Sequence, residues 1–320
     1  MRFLISLLLG LLLIAGVAVF LFTRSANQSN PAGGAIDEAG LAASIDSPWW
    51  READRLVDVD GVQTRVRIEG PDEAPVLVLV HGFSHSLESW DAWAADLSAD
   101  YRVVRMDLPG HGLTGRDPQA RYSVPETVAF LDRLMSELAI ERATLIGNSL
   151  GGLVTWRQAA DHPEKVERLV LLAPGGFSIN GVTENPVPVP MGVQFYLTQA
   201  PQPVITAATQ MLYGDASAMP DGTPERVHAM MRGEGVGQAM VERLRVFTLP
   251  EPSADLARIA VPTLVMWGEA DVIVPPAHGP QFVAAIPEAR LVTYPGLGHV
   301  VHEEAPGQTL ADLRAFLSAG

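Results

Sequence analysis

The sequence predicts an α/β fold in which a mostly parallel sheet is covered by helices on both faces and carries an inserted helical cap. Three observations predict it: apolar runs of strand length, helical stretches between those runs, and one long segment in which the alternation stops. Continuous apolar runs are typical of strands buried on both faces, and their alternation with helices is typical of a parallel sheet. The interruption, at residues 177–254, indicates an insertion between two strands.

Composition narrows the classes of function before any motif is considered. The chain has 320 residues, 48% of them hydrophobic, which is enough for one large core. Its 37 acidic and 22 basic side chains give a net charge of -15, which argues against nucleic acid as a partner because that affinity comes mostly from Lys and Arg. The absence of cysteine excludes disulfides, thiolate metal sites, a cysteine nucleophile and a lipidated N-terminal cysteine.

The first 24 residues predict a membrane anchor. Arg2 precedes an apolar stretch at 3–22, and Arg24 closes it. A helix of this length reaches roughly 30 Å, enough to cross the hydrocarbon core, whereas the apolar region of a cleaved signal peptide usually has only about 7 to 15 residues. We therefore favour a retained transmembrane signal anchor at 1–24 over a cleaved signal peptide. Arg2 favours a cytoplasmic N-terminus, which would place the catalytic body on the periplasmic or extracellular side.

The elements of the body follow a flexible tether, which the small and polar residues 25–46 predict. Two strand-like runs flank an Asp60-Gly61 turn signal, so a hairpin opens the body. We assign residues 47–176 and 255–320 to the sheet and its helices. The predicted strands are 55–59, 63–69, 76–80, 102–106, 144–146, 169–172, 263–267 and 290–294, and the predicted helices between them are 125–138, 150–162, 280–285 and 307–317.

The insertion at 177–254 predicts a helical cap. It contains five prolines between residues 186 and 203, followed by helical patches at 202–213, 224–232 and 237–247. Methionines and aromatic residues are frequent in it. They either form an adaptable apolar surface towards a substrate or pack a small core of the cap itself.

The motif Gly147-Asn148-Ser149-Leu150-Gly151-Gly152 lies where an apolar strand ends and a helix begins. This arrangement is typical of a nucleophile elbow, in which a strained turn leaves no room for side chains two residues before and after the serine. A capping serine in an ordinary strand-to-helix turn is the alternative.

Two partners for Ser149 follow it in the chain. Asp271 comes directly after the strand at 263–267, and His299 directly after the strand at 290–294. Both therefore lie at the carboxyl edge of the sheet, where ligands bind in open α/β folds. A serine hydroxyl needs a neutral imidazole to accept its proton and a carboxylate to fix the imidazole tautomer. Glu269 is the rival acid, and we prefer Asp271.

These motifs resemble those of the serine α/β-hydrolases, and the likeness runs from about residue 48 to the C-terminus. His81-Gly82-Phe83 stands where this family has its oxyanion loop, and Asp107-Leu-Pro-Gly-His-Gly112 is a common family signature. The resemblance implies the fold, catalysis by Ser149, Asp271 and His299, and an oxyanion hole formed by the backbone N–H groups of Phe83 and Leu150. It implies no cofactor, and the sequence has no His and carboxylate cluster with metal-ligand spacing.

Within the family, Ser149 argues against dehalogenases and epoxide hydrolases, which need a carboxylate at that position. The sequence is most similar to membrane-anchored bacterial lipases and carboxylesterases, so we expect a small-molecule or lipid ester as substrate and an acyl-enzyme intermediate. Carbon–carbon bond hydrolases of ring-cleavage products are the alternative, although they commonly have Trp after the catalytic His and this chain has Val300. A catalytically silent, tethered binding protein is the alternative outside enzymes.

Four residues are candidates for substrate binding. His85 and Ser86 follow the expected oxyanion residue, and Phe195 and Met230 belong to the cap. We expect the first two to line the pocket and the second two to contact the acyl chain. For His302, three residues past His299, we expect a surface or supporting position.

Overall fold

The structure, a computed structural model, describes residues 45–319. The predicted anchor at 1–24 and all but the last two residues of the predicted tether lie outside this range. Among residues 45–319, no helix is both long enough and apolar enough to cross a membrane.

An eight-stranded sheet forms the centre of the described part of the chain, with strand order β1-β2-β4-β3-β5-β6-β7-β8. Strand β1 pairs antiparallel with β2, β2 antiparallel with β4, and the remaining pairs are parallel. The predicted mostly parallel fold is confirmed. The strands are β1 Asp54–Val59, β2 Val62–Glu69, β3 Val76–Val80, β4 Arg102–Met106, β5 Ala143–Asn148, β6 Val166–Leu172, β7 Thr263–Gly268 and β8 Ala289–Tyr294.

Eleven α-helices accompany these strands in the described range. They are α1 Asp91–Leu97, α2 Val124–Glu137, α3 Leu150–Asp161, α4 Met191–Gln199, α5 Gln202–Gln210, α6 Thr223–Met231, α7 Val236–Val246, α8 Ser253–Leu256, α9 His278–Ala285, α10 Val301–Glu304 and α11 Pro306–Ser318. Short 3-10 turns lie at Leu87–Trp90, Pro163–Lys165 and Ala216–Ala218.

Helices cover both faces of the sheet because side chains of a strand alternate between them. In β3, Val78 and Val80 join one apolar cluster, whereas Leu77 and Leu79 join another. Helices α2, α3 and α9 contribute to the first cluster, and α1 and α11 to the second. Burial on both faces explains why the central strands are continuously apolar in sequence.

The hairpin predicted at Asp60-Gly61 joins β1 to β2. Asp60 has a φ of 52° and Gly61 a φ of 83°, the two left-handed residues that a tight type I′ hairpin turn requires. Glycine adopts this backbone without strain, and aspartate is one of the few other residues that tolerates it.

The inserted cap is confirmed as part of the fold: helices α4 to α8 lie between β6 and β7. Helices α4 to α7 lie within the predicted 177–254 segment and have a small apolar core of their own, in which Leu197, Ile205, Met231 and Met240 are buried. Helix α8 crosses residue 254, and the exact domain boundaries stay a prediction.

Candidate active site

Ser149 lies in the turn between β5 and α3 with φ 54° and ψ -114°, a sparsely populated backbone region for a residue other than glycine. Its N–H donates to the Leu172 carbonyl in β6 at 3.0 Å, and its own carbonyl accepts from Gly175 N at 3.0 Å. A side chain at position 147 would collide with the backbone of Gly151, and one at position 151 with the backbone of Val80. The elbow therefore requires both glycines for steric reasons.

Asp271 and His299 meet at the carboxyl edge of the sheet. The loop after β7 carries Asp271, the loop after β8 carries His299, and Asp271 Oδ2 lies 2.8 Å from His299 Nδ1. The other oxygen of Asp271 accepts from Ile273 N at 2.7 Å and Val274 N at 3.0 Å. Both carboxylate oxygens thus have partners that fix the carboxyl plane, and the side chain has no exposed surface.

Glu269, the rival acid, has a different partner. Its side chain is exposed and accepts a hydrogen bond from Thr293 Oγ1 at 2.9 Å. The geometry therefore pairs His299 with Asp271.

Asn148, the residue before the serine, connects the elbow to His299. Its side-chain Nδ2 donates to the His299 carbonyl at 3.2 Å and to the Leu172 carbonyl at 3.1 Å. The backbone N–H of His299 donates to the Leu212 carbonyl of the cap at 2.7 Å. His299 is held by backbone contacts on two sides, beside the turn that carries Ser149.

The loop predicted to supply the oxyanion hole, residues 81–86 and called the oxyanion loop below, lies against the same elbow. A Cβ placed on Gly82 would lie 3.2 Å from Ser149 Cβ, so the loop backbone passes directly beside the serine. Among residues 45–319, no group accepts a hydrogen bond from the backbone N–H of Phe83 or of Leu150. Two unpaired donors beside a serine are what a developing oxyanion requires.

His81 braces this loop on the segment after β4. Its Nδ1 lies 2.7 Å from the Gly82 carbonyl, and its Nε2 accepts from Leu108 N at 3.0 Å. These partners require a neutral ring with its proton on Nδ1. Complete burial lowers the pKa of His81 to about 3, which keeps the ring neutral.

The predicted substrate-binding residues differ in their surroundings. His85 is buried, with Nδ1 3.1 Å from the Phe83 carbonyl. Ser86 is buried and donates from Oγ to Glu88 Oε2 at 2.7 Å. Phe195 is partly buried against the cap core, and Met230 is buried. Their contact with substrate stays a prediction.

His302 does not lie on the surface. It is buried and stacks on Trp90 with ring centroids 4.2 Å apart, because α10 turns inward directly after the His299 loop. Of the two alternatives for His302, a supporting position is the one that fits this burial.

Three features of the site have no counterpart in the sequence analysis. Asn148 reaches His299, Leu212 of the cap accepts from the same residue, and Glu303 and Glu304 are buried a few residues beyond it. The one signal in the sequence for a buried polar cluster is the pair Glu303 and Glu304, which stands between the apolar Val300 and Val301 and the helix predicted at 307–317.

A groove of about 970 Å³ is lined by residues that include Phe177, Glu184, Leu249 and His278. None of Ser149, Asp271 and His299 lines it. Within the described residues, no group of three or more His, Asp or Glu side chains could hold a metal ion.

Comparison with known proteins gives the family. The sequence matches the α/β-hydrolase fold family over residues 75–306. It is 27% identical to the 2-hydroxy-6-oxononadienedioate/2-hydroxy-6-oxononatrienedioate hydrolase of Comamonas testosteroni, covering 73% of this chain and 85% of that protein. It is 26% identical to Lipase 3 of Moraxella sp. (strain TA144), covering 75% of this chain and 76% of that protein.

Solved structures agree with this match. The 2-hydroxy-6-oxo-6-phenylhexa-2,4-dienoate hydrolase of Rhodococcus sp. strain RHA1 has a TM-score of 0.73 at 22% identity, covering 83% of this chain and 98% of that one. This likeness concerns the fold. Because the family match spans well over half of the sequence, the chain belongs to the α/β-hydrolase fold family.

Proposed function

We propose that the protein is a serine hydrolase that cleaves carboxylic esters through an acyl-enzyme intermediate. The observation that carries this proposal is the Asp271–His299 pair at 2.8 Å, held by Asn148 beside the strained elbow of Ser149. In the proposed reaction Ser149 attacks the acyl carbonyl while His299 accepts its proton and then delivers it to the leaving alcohol. Water then attacks the acyl-enzyme with the same base.

Asp271 supports this role of His299 through the tautomer. With Nδ1–H donating to the carboxylate, Nε2 of His299 is left as the proton acceptor. The backbone N–H groups of Phe83 and Leu150, which have no acceptor within residues 45–319, would stabilise the oxyanion, and a donor of this kind contributes roughly 3 to 4 kcal/mol in comparable sites.

Hydrolysis of a carbon–carbon bond in a ring-cleavage product is the second candidate, and the relatives support it about as well. The Comamonas testosteroni relative acts, by its name, on a dioate substrate. A dianionic substrate needs cationic partners. Arg226 of the cap lies 4.0 Å from the buried carboxylate of Glu303, and this carboxylate offsets the positive charge of Arg226. An uncharged ester needs no cationic partner, so the ester is our first choice.

The test compares both substrates on one preparation. We expect turnover of p-nitrophenyl esters, labelling of Ser149 by a fluorophosphonate, and loss of both in Ser149→Ala by at least about 10³-fold with an unchanged fold. Turnover of 2-hydroxy-6-oxo-6-phenylhexa-2,4-dienoate without ester turnover would transfer the proposal to the second candidate. Absence of labelling in the wild type would favour a silent binding protein.

We also propose that the body is tethered to a membrane by residues 1–24, with the catalytic part extracytoplasmic. The sequence of residues 1–24 is the support for this proposal. A protein that lacks residues 1–46 still contains Trp49, whose carbonyl accepts a hydrogen bond from Arg65 at 2.5 Å, so the truncated protein should stay folded. We expect the full chain in the membrane fraction and an active truncated enzyme in the soluble fraction; a full chain that fractionates as soluble argues against the anchor.

A further inference from the structure

Glu303 and Glu304 end helix α10, four and five residues beyond His299, and both are buried. Burying a carboxylate is costly unless hydrogen bonds and opposite charges compensate it. The hydrogen-bond partners of these two side chains come from the cap, from the 3-10 turn that follows the oxyanion loop and from the loop that carries His299.

Glu304 joins the cap to the His299 loop. It accepts from Gly298 N at 2.7 Å, and from the cap it accepts from Gly214 N at 3.0 Å and Asp215 N at 2.8 Å. A side chain at position 298 would collide with the backbone of Leu212 and Gly214. The two segments are therefore in direct backbone contact.

Glu303 joins the cap to the oxyanion side of the site. One oxygen, Oε2, accepts from the hydroxyl of Tyr213 in the cap at 2.9 Å. The other, Oε1, accepts from the hydroxyl of Ser89 in the 3-10 turn that follows the oxyanion loop. Oε1 also lies 3.8 Å from Nε2 of His85, whose Nδ1 lies 3.1 Å from the Phe83 carbonyl.

Glu303 is ionised in this setting. Burial raises the pKa of its carboxyl, but the hydrogen bond from Ser89 and the charge of Arg226 are among the causes that hold the pKa below its ordinary value. Nε2 of His85 has no hydrogen-bond partner among the described residues, and Oε1 of Glu303 lies 3.8 Å from it. A charged acceptor with fixed donors on two sides sets distances more sharply than apolar packing does.

We propose that Glu303 is a positioning residue: bonded to Tyr213 of the cap, it sets the position of the oxyanion loop relative to Ser149 and His299. The inference rests on the proposed function, because its consequence is a change in the stabilisation of an acyl-transfer transition state. The docked cap would then contribute to the chemical step and not only to the walls of the pocket.

A short substrate separates these two contributions. p-Nitrophenyl acetate carries no acyl chain with which to reach the cap, so loss of a wall would leave its hydrolysis unchanged. Loss of positioning would lower kcat with little change in KM, because the oxyanion donors act on the transition state.

The first variant is Tyr213→Phe, which removes one hydroxyl and keeps the ring. We expect kcat for p-nitrophenyl acetate to fall at least about tenfold with KM within about twofold, the size of effect expected from a small misplacement of catalytic groups. Glu303→Gln keeps one acceptor oxygen, for Tyr213 or for Ser89 but not for both, and removes the charge, so we expect a loss at least as large.

Tyr294→Phe is the matched control. The Tyr294 hydroxyl also donates to a carboxylate, Oδ2 of the half-buried Asp312 at 2.8 Å, which lies on helix α11 and outside the site. Its loss should lower stability in chemical denaturation as Tyr213→Phe does, while kcat stays at the wild-type level. Equal kcat values for Tyr213→Phe and Tyr294→Phe would overturn the inference.

The rate of phosphonylation of Ser149 by a fluorophosphonate separates this inference from the proposed function. It reports the nucleophile and the oxyanion hole whatever the natural substrate is. A wild type that is labelled but hydrolyses no ester contradicts ester hydrolysis, and slower labelling of Tyr213→Phe would still support the positioning role. A wild type that is not labelled and hydrolyses no ester overturns both.

Discussion

Asp271 is placed by its backbone neighbours as much as by His299. Ile273 N and Val274 N hold one oxygen, which leaves the other to His299 in a single orientation. The same tight turn after β7 exposes Glu269 on the opposite side, where Thr293 binds it. Two acids two residues apart thus have different roles because the turn directs one inward and one outward.

Asp271→Asn should lower kcat for ester hydrolysis by about 10⁴-fold, the size of loss expected when the histidine takes the wrong tautomer. The asparagine oxygen would keep the bonds to Ile273 N and Val274 N, and its NH₂ group would then face His299 Nδ1. The imidazole would present a protonated Nε2 that cannot accept the serine proton. Steady-state kinetics with a p-nitrophenyl ester measure this loss.

Glu269→Gln is the control for that prediction. Because the Glu269 side chain is exposed and, within residues 45–319, bonded only to Thr293, we expect kcat of this variant within about twofold of the wild type, as for surface substitutions generally. The reverse ranking of the two variants would assign the role to Glu269.

The sequence could predict the triad candidates because each follows an apolar strand and has a local motif. The Glu303 cluster has no local motif: it combines residues from the oxyanion side, the cap and α10 that are far apart in the chain. The same holds for the bond from His299 N to Leu212. Contacts of this kind depend on how the cap docks, which no periodicity reveals.

Among the elements, the cap is fixed to the sheet domain by a buried cation. Arg243 of α7 donates to the Tyr122 carbonyl at 3.1 Å, to Thr127 Oγ1 at 2.8 Å and to the Pro109 carbonyl at 2.9 Å. Burial lowers the pKa of Arg243 to about 10, so it stays charged at neutral pH. The three acceptors belong to the segment after β4 and to the start of α2.

Arg243→Met should lower the free energy of unfolding by about 2 to 4 kcal/mol, because it leaves buried acceptors without donors. It should also speed cleavage within the cap by a protease, since the docking bonds are lost. Chemical denaturation and limited proteolysis measure the two effects. Arg245→Met, on the same helix but exposed, should leave both at wild-type values; equal behaviour of the two variants would show that Arg243 does not dock the cap.

Element prediction succeeded where an apolar run or period is long enough to be recognised, and it failed where the period is absent or the element is short. Strands β3 and β4 match the predicted 76–80 and 102–106 because continuous apolar runs mark both ends. Helix α4 was missed: of its nine residues only Leu197 is buried, so it has no apolar period. Helix α1, with seven residues, is too short for a period to be recognised.

The cap should also determine acyl-chain preference. We expect Phe195→Ala and Met230→Ala to shift the preferred ester in a panel of p-nitrophenyl esters from short to long acyl chains, because truncation removes apolar volume where a chain would lie. Met191→Ala is the control, since Met191 is 86% exposed. An unchanged profile in stable variants would place specificity in the oxyanion loop instead.

At the scale of the whole molecule, buried histidines couple folding to pH. Burial lowers the pKa of His81 to about 3 and of His302 to about 4, and it also lowers the pKa of His85 and His111. In the unfolded chain each titrates near 6.5. Between these values the unfolded state binds more protons, so stability must fall as the pH decreases.

The free energy of unfolding should therefore decrease from pH 7 to pH 5, by roughly 1 kcal/mol per pH unit below about 6.5 for each of His81 and His302, and His85 and His111 act in the same direction. Asp107 acts in the opposite sense, because burial raises the pKa of its carboxyl to about 6, but it is one group against four. Guanidinium denaturation at several pH values measures the slope. His81→Gln should make the slope shallower, because an amide can donate to the Gly82 carbonyl and accept from Leu108 N without titrating. The control, His162→Gln at the surface, should leave the slope unchanged. A stability independent of pH between 7 and 5 would contradict the neutral state of these buried rings.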